Sequence, residues 1–204
     1  MMIPAMIHQT SKTKRIPQMW ARLQKKVRQA YPDWEYRLWT DQENLELVRK
    51  SFKDWEEVYL SMPKGIMRVD MIRYMYMYEF GGLYLDLDYE ILRPFPFRNY
   101  ELVLPAENRP GQPVSLGNSI FASVPRHPFW GKVLQELKEN PPVRVQDEQD
   151  VINLTGPRFL TKIYSEYFQA ETSIHIPERR YFNPDIPRTK AEQKVLEKDG
   201  TTIG

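Results

Sequence analysis

Cysteine is absent from the 204 residues, so neither a disulfide framework nor a thiolate metal site is available. Long apolar runs are missing as well. Nothing reaches the roughly 18 residues of a membrane span, and the apolar residues of Met1–Ile7 are too few for a signal-peptide core. Charge of one sign is also lacking: 29 Lys+Arg stand against 27 Asp+Glu, a net of +2, and no nucleic-acid partner is expected. Repeats and low-complexity runs do not occur. What remains is a chain long enough for one sizeable core and too short for two comfortable domains. A cytoplasmic protein is expected, with at most peripheral contact to a membrane.

What is present in quantity is aromatic residue, 13%, and proline, 17 residues, which together indicate a loop-rich globular protein with stacking surfaces. The chain is organised around Lys64–Pro94, KGIMRVDMIRYMYMYEFGGLYLDLDYEILRP. Ile66–Phe80 holds neither Gly nor Pro and predicts a helix of about four turns, which Gly81-Gly82 ends. Leu83–Tyr89 alternates and predicts a strand with Leu83, Leu85 and Leu87 on one face and Tyr84, Asp86 and Asp88 on the other. Two neighbouring carboxylates repel unless a proton or cation lies between them, and oxygen ligands of this kind suit Mg2+ or Mn2+. The alternative is a half-exposed strand with an acidic solvent face. Asp70 and Arg73, three apart in the helix, can pair, either at the surface or at the edge of a buried site, where a charge must be compensated.

Arg68-Val69-Asp70-Met71-Ile72-Arg73-Tyr74, followed by Tyr78-Glu79-Phe80-Gly81-Gly82-Leu83-Tyr84-Leu85-Asp86-Leu87-Asp88, resembles the signature of glycosyltransferase family 32. Ile3-Pro4 with Ile7-His8-Gln9-Thr10, the Pro32–Asp41 stretch PDWEYRLWTD and Thr155-Gly156-Pro157 resemble further family segments. The resemblance implies a metal-dependent enzyme of GT-A type, a Rossmann-like mixed sheet flanked by helices in a single domain, residues 1–204. It would move a sugar with retention from a UDP- or GDP-sugar to a glycan, a lipid-linked glycan or another hydroxyl acceptor, as in surface polysaccharide synthesis. Asp88 would bind Mn2+ or Mg2+ directly. Asp86 would hold the donor ribose or sugar and support the metal through water. Asp70 and Arg73 would contact sugar hydroxyls, Arg73 also lying near the diphosphate. Ile7, His8, Gln9 and Trp39 would border the nucleotide, and Asn118 the donor sugar. The chain stops at Gly204 where the resemblance implies a further strand, so a domain lacking that strand is expected.

The residues leave other readings open. His8 and Trp39 can be core side chains, and Asn118 a turn residue. Asp86-Leu87-Asp88 also resembles the motif of haloacid-dehalogenase-type phosphatases, although Glu90 stands where Thr or Val is expected. A catalytically silent sugar- or nucleotide-binding domain is a further alternative.

The remaining segments fall into simple units. Met2–Gln9, Glu35–Trp39, Leu102–Pro105, Gly117–Ser123, Ile174–Pro177 and Tyr181–Pro184 read as strands. Pro17–Ala30, Gln42–Arg49, Phe52–Leu60, His127–Leu137 and Thr155–Phe168 read as helices. Strand, helices, strand, helix, strand over the first 90 or so residues predicts a parallel α/β arrangement. Ligands of such sheets bind beyond the carboxyl ends of the strands, where the two aspartates fall.

Overall fold

A computed structural model describes residues 1–183; the readings that fall on Pro184 and on Lys198–Gly204 lie outside the described residues. The strands are β1 (Met6–Ser11), β2 (Glu35–Thr40), β3 (Gly82–Leu85), β4 (Leu102–Val103), β5 (Ile120–Ser123) and β6 (Ile174–His175). The helices are α1 (Gln18–Ala30), α2 (Asp41–Ser51), α3 (Glu56–Ser61), α4 (Gly65–Glu79), α5 (Pro128–Glu139), α6 (Glu148–Leu154), α7 (Pro157–Tyr167) and α8 (Arg179–Phe182). One mixed sheet runs in the order β2-β1-β3-β5-β4-β6. The first three strands are parallel, β5 is antiparallel to both β3 and β4, and β6 is parallel to β4.

Alternation along each strand feeds two cores, one on either face of the sheet. Tyr84 and Phe121 point to the core shared with α2, α4, α5 and α7. Leu83, Leu85, Ile120 and Ala122 point to the core that contains Val27 of α1 and Phe182 of α8. Helix α4 is the inner member of the first layer. Met67 and every residue from Asp70 to Met77 are buried, as expected for a helix that is apolar all round.

Two glycines deliver α4 into β3. Gly81 (φ +66°) and Gly82 (φ +90°) both take positive φ, and the Gly81 N–H closes the helix on Met77 O at 3.1 Å. A Cβ on Gly81 would stand 2.6 Å from Ser123 O, and one on Gly82 2.5 Å from Met6 O. Backbone conformation and close approach thus both require glycine, and they seat β3 between β1 and β5.

Several expected boundaries move. The first strand starts at Met6 instead of Met2, because the Met6 N–H turns back to Pro4 O. The expected strand through Tyr89 ends at Leu85. The Asp86 N–H makes one last ladder bond to Ser119 O, and Tyr89 N–H then bonds Asp86 O to form a turn. The Gln9 side chain takes the carbonyls of Leu85 and Asp86 that a longer strand would offer. Asp86 and Asp88 therefore do not stand side by side on one strand. Phe52–Leu60 opens as a 3-10 turn, Lys53–Trp55, before α3. Helix α6, capped by the Asp147 side chain, lies in a stretch that gave no helical reading. In place of the strand expected from Tyr181, Tyr181 and Phe182 end α8, which inserts Phe182 into the second core.

Candidate active site

At the carboxyl end of β3 a network of side chains joins four segments. Tyr84 donates its hydroxyl to Asp86 Oδ1 at 2.6 Å; Asp86 stands one residue past the end of β3, two residues on from Tyr84. Arg73 Nη1 lies 3.3 Å from the same oxygen and donates to Asn118 O at 2.6 Å. Arg73 Nη2 lies 3.3 Å from Asp70 Oδ1, and the guanidinium sits 4.9 Å above the Tyr84 ring. Asp70 in turn accepts from Asn118 Nδ2 at 3.1 Å and, through Oδ2, from the Thr155 hydroxyl at 2.7 Å. Exposure rises along the network. Asp70 and Arg73 are each 3% exposed, the Asp86 side chain is 29% exposed, and Asp88 stands open on the turn.

Burial pushes the Asp70 carboxyl above its usual range, against the Arg73 charge and the Thr155 hydroxyl. Burial also works against the Arg73 cation, but Asp86 foremost, with Tyr84 and Asp70, holds it protonated. The Tyr84 phenol is pushed well up by burial, so it is a neutral donor to Asp86.

Of the residues expected to form the site, Asp70, Arg73, Asp86 and Asn118 come together, and Gln9 reaches them through the Leu85 and Asp86 carbonyls. Ile7, His8 and Trp39 lie in the cores. His8 is fully buried. Its Nδ1 accepts from Trp39 Nε1 at 3.0 Å and its Nε2 lies 3.0 Å from Gly81 O, which places the proton on Nε2. Burial depresses its pKa to about 3. Trp39 is 2% exposed, with the Arg37 guanidinium 3.3 Å above its ring. Two members of the network escaped sequence reasoning. Tyr84 had a usable signal, since it shares the Asp86 face. Thr155 had none beyond its Thr-Gly-Pro context.

The donor set fits a hard divalent ion in one specific way. Tyr84 and Arg73 both engage Oδ1 of Asp86, and Asp88 is exposed beyond it. Among the described residues no group of three or more His, Cys, Asp or Glu converges. Two carboxylates are too few to fill the six positions Mg2+ prefers, so such an ion would need phosphate and water as its other ligands.

Comparison with known proteins identifies the family and the fold. Residues 17–109 match the family model described as a glycosyltransferase sugar-binding region containing a DXD motif. Mannosyl phosphorylinositol ceramide synthase SUR1 of Saccharomyces cerevisiae is 34% identical over 166 residues, which cover 81% of this chain and 43% of that protein. Inositol phosphoceramide mannosyltransferase 3 of Schizosaccharomyces pombe is 36% identical over 178 residues, covering 85% and 49%. The chain belongs to glycosyltransferase family 32. It spans about half the length of the curated family 32 relatives it matches. Among solved structures, the glycosyltransferase domain of the YGT toxin superposes with a TM-score of 0.68 at 8% identity, covering 97% of this chain and 89% of that one. PaToxG glycosyltransferase gives 0.60 at 18%, covering 83% and 70%. The fold is thus the GT-A fold of glycosyltransferases, and family 32 membership sets the phosphatase reading aside. Among the described residues no helix is long and apolar enough to cross a membrane.

Proposed function

We propose that the chain carries the donor site of a glycosyltransferase that moves a hexosyl unit, mannosyl being the first to test, from a nucleoside-diphosphate sugar to a hydroxyl acceptor with retention. The observation that supports this reading is the pairing of Arg73 with Asp70 and Asp86 at the carboxyl end of β3, with Asp88 exposed two residues beyond Asp86. The matched relatives are named for mannosyl transfer to inositol phosphoceramide. A lipid-borne inositol hydroxyl is therefore the first acceptor to try, ahead of a free glycan.

Asp88 and Asp86 would hold Mn2+ or Mg2+. Bound there, the ion would act as a Lewis acid for the charge that develops on the departing diphosphate. The buried pair behind them does different work. With 3% exposure each, the Asp70 oxygens accepting from Asn118 and Thr155 and Arg73 donating to Asn118 O, Asp70 and Arg73 act by positioning. Arg73 holds two carboxylates at fixed orientation, and its planar fork spans both. Tyr84 fixes one Asp86 oxygen, which sets the direction in which the carboxylate presents the other.

The test is a panel of GDP- and UDP-sugars with Mn2+, offered with inositol-phosphoceramide vesicles or with oligomannose. Released nucleoside diphosphate and the anomeric configuration of the product are measured. Consumption of one donor with a retained linkage is expected. Binding of donors without turnover on either acceptor would replace the transferase by a silent sugar-binding domain.

A further inference from the structure

Behind the sheet, on the face opposite α4, a directed chain of hydrogen bonds runs from α1 to the turn that carries Asp86 and Asp88. Gln24 Nε2 donates to Tyr36 Oη at 2.7 Å, and Tyr36 donates to Gln9 Oε1 at 2.7 Å. Gln9 Nε2 donates to Asp86 O at 3.1 Å and to Leu85 O at 3.4 Å. Each member fixes the next. A Gln24 amide nitrogen can only donate, so the Tyr36 hydroxyl must donate onward. That turns the Gln9 oxygen toward Tyr36 and its NH2 toward the two carbonyls; a flipped amide would set oxygen against oxygen. Burial raises the Tyr36 pKa to about 12, so its proton stays in place across the working range. Helix α1 holds the far side of the turn too, through an ion pair of Lys26 with Glu90.

We infer that Tyr36 and Gln9 are positioning residues of the Asp86–Tyr89 turn, tying the carboxylates that face the donor diphosphate to helix α1 by a one-way relay. This rests on the transferase reading above. Other contacts hold the turn's side chains: Tyr84 and Arg73 take the Asp86 carboxylate, the Tyr89 hydroxyl donates to Phe182 O, and Leu87 and Tyr89 are buried. The backbone has the Asp86 N–H bond to Ser119 O and the Tyr89 N–H bond to Asp86 O. Gln9 adds the side-chain bonds to the Leu85 and Asp86 carbonyls, at the point where the strand stops and the turn departs. Tyr36 is half-buried beside an open cleft lined by Gln24, Arg28, Trp34 and Pro32, so removing its hydroxyl opens no sealed cavity.

Tyr36→Phe cuts the relay well away from the donor. Two quantities are measured: amide hydrogen exchange of the peptide covering residues 86–89, and the Mn2+ concentration that half-saturates transfer. Exchange should accelerate and the half-saturating Mn2+ concentration should rise about fivefold, the worth of one hydrogen bond. The melting temperature should stay close to wild type. Gln9→Met should give a larger effect, and adding Tyr36→Phe to it should change nothing further, because members of one relay are not additive. Unchanged exchange in Tyr36→Phe, or additive effects in the double variant, overturns the relay. Faster exchange with an unaltered Mn2+ requirement overturns its role in positioning the site. If the wild-type chain consumes no donor, the transferase reading is what has failed. Exchange and calorimetric binding of Mn2+ with GDP then still decide the relay.

Discussion

Thr155 donates its hydroxyl to Oδ2 of Asp70 across 2.7 Å, joining the loop before α7 to the middle of α4, 85 positions away. Both residues are buried, so the bond is not shared with water. Thr155→Val keeps the shape and removes the donor to a buried carboxylate, at a cost of about 1.5–3 kcal/mol in stability. Thr155 is one of the groups that hold the Asp70 pKa down against burial. Its loss should move that pKa further up and shift the acid limb of the activity profile to higher pH. Thr155→Ser should restore both properties. Denaturant unfolding and a pH–rate profile of the three proteins check this.

Arg73 meets Asp70 and Asp86 with side chains 4%, 4% and 29% exposed. Breaking a buried pair by removing one partner leaves uncompensated charge, and Arg73→Met should cost about 3–5 kcal/mol. Arg73→Lys retains the cation but cannot span two carboxylates and the Asn118 carbonyl together. It should therefore fold and still lose most of its turnover at saturating metal. Near-normal kinetics in Arg73→Lys would mean that one charge suffices and that the fork is incidental.

The sequence carried the helix–glycine–strand unit and the pairing of Asp70 with Arg73 because both follow from local rules: helical spacing, the αL preference of glycine and strand alternation. Alternation also placed Tyr84 on the Asp86 face, without assigning it a role there. The sequence could not carry the end of β3 at Leu85, because what stops that strand is a Gln9 side chain 76 positions upstream of Leu85. Thr155 was hidden by the same kind of distance. His8 was ambiguous for another reason. The residues of the Ile-His-Gln-Thr strand favour a core histidine while the family resemblance points to pocket lining, and the stacking of His8 with Tyr76 at 5.4 Å and its bonds to Trp39 and Gly81 assign it to the core.

That core histidine makes stability depend on acid. Its pKa is about 3 in the folded chain and about 6.5 when unfolded. A depressed base contributes stability that is fully present above the unfolded value and is lost as pH falls through the folded one. Between about pH 6.5 and 3 the unfolded chain binds one more proton at this position, so stability falls by about 1.4 kcal/mol per pH unit from His8 alone. Gln at position 8 has no proton to gain, yet it has an acceptor for Trp39 and a donor for Gly81 O. Unfolding free energies at pH 6.5 and 4.5 should therefore differ less in His8→Gln than in wild type, by about 2–3 kcal/mol. Equal pH dependence in the two proteins would show that His8 is already protonated in the fold.

The turn bearing Asp88 implies how metal and donor depend on each other. Asp88 is exposed, and Asp86 already has one oxygen engaged by Tyr84 and Arg73. Such a pair gives a divalent ion few protein ligands, while Mg2+ and Mn2+ prefer about six. Mn2+ alone should therefore bind weakly. A nucleoside diphosphate should strengthen it sharply, because each then brings ligands to the other, and linkage requires that Mn2+ strengthen the nucleotide by the same factor. Asp88→Asn keeps the size, removes one charge and touches no core contact. It should leave the melting temperature unchanged, abolish the mutual enhancement and lower turnover about 10²-fold or more. Calorimetric titrations of Mn2+ with and without GDP and UDP, on wild type and Asp88→Asn, measure all of this. Tight Mn2+ binding without nucleotide would mean a closed protein cage in place of a shared ion. Enhancement that survives in Asp88→Asn would remove Asp88 from the metal site.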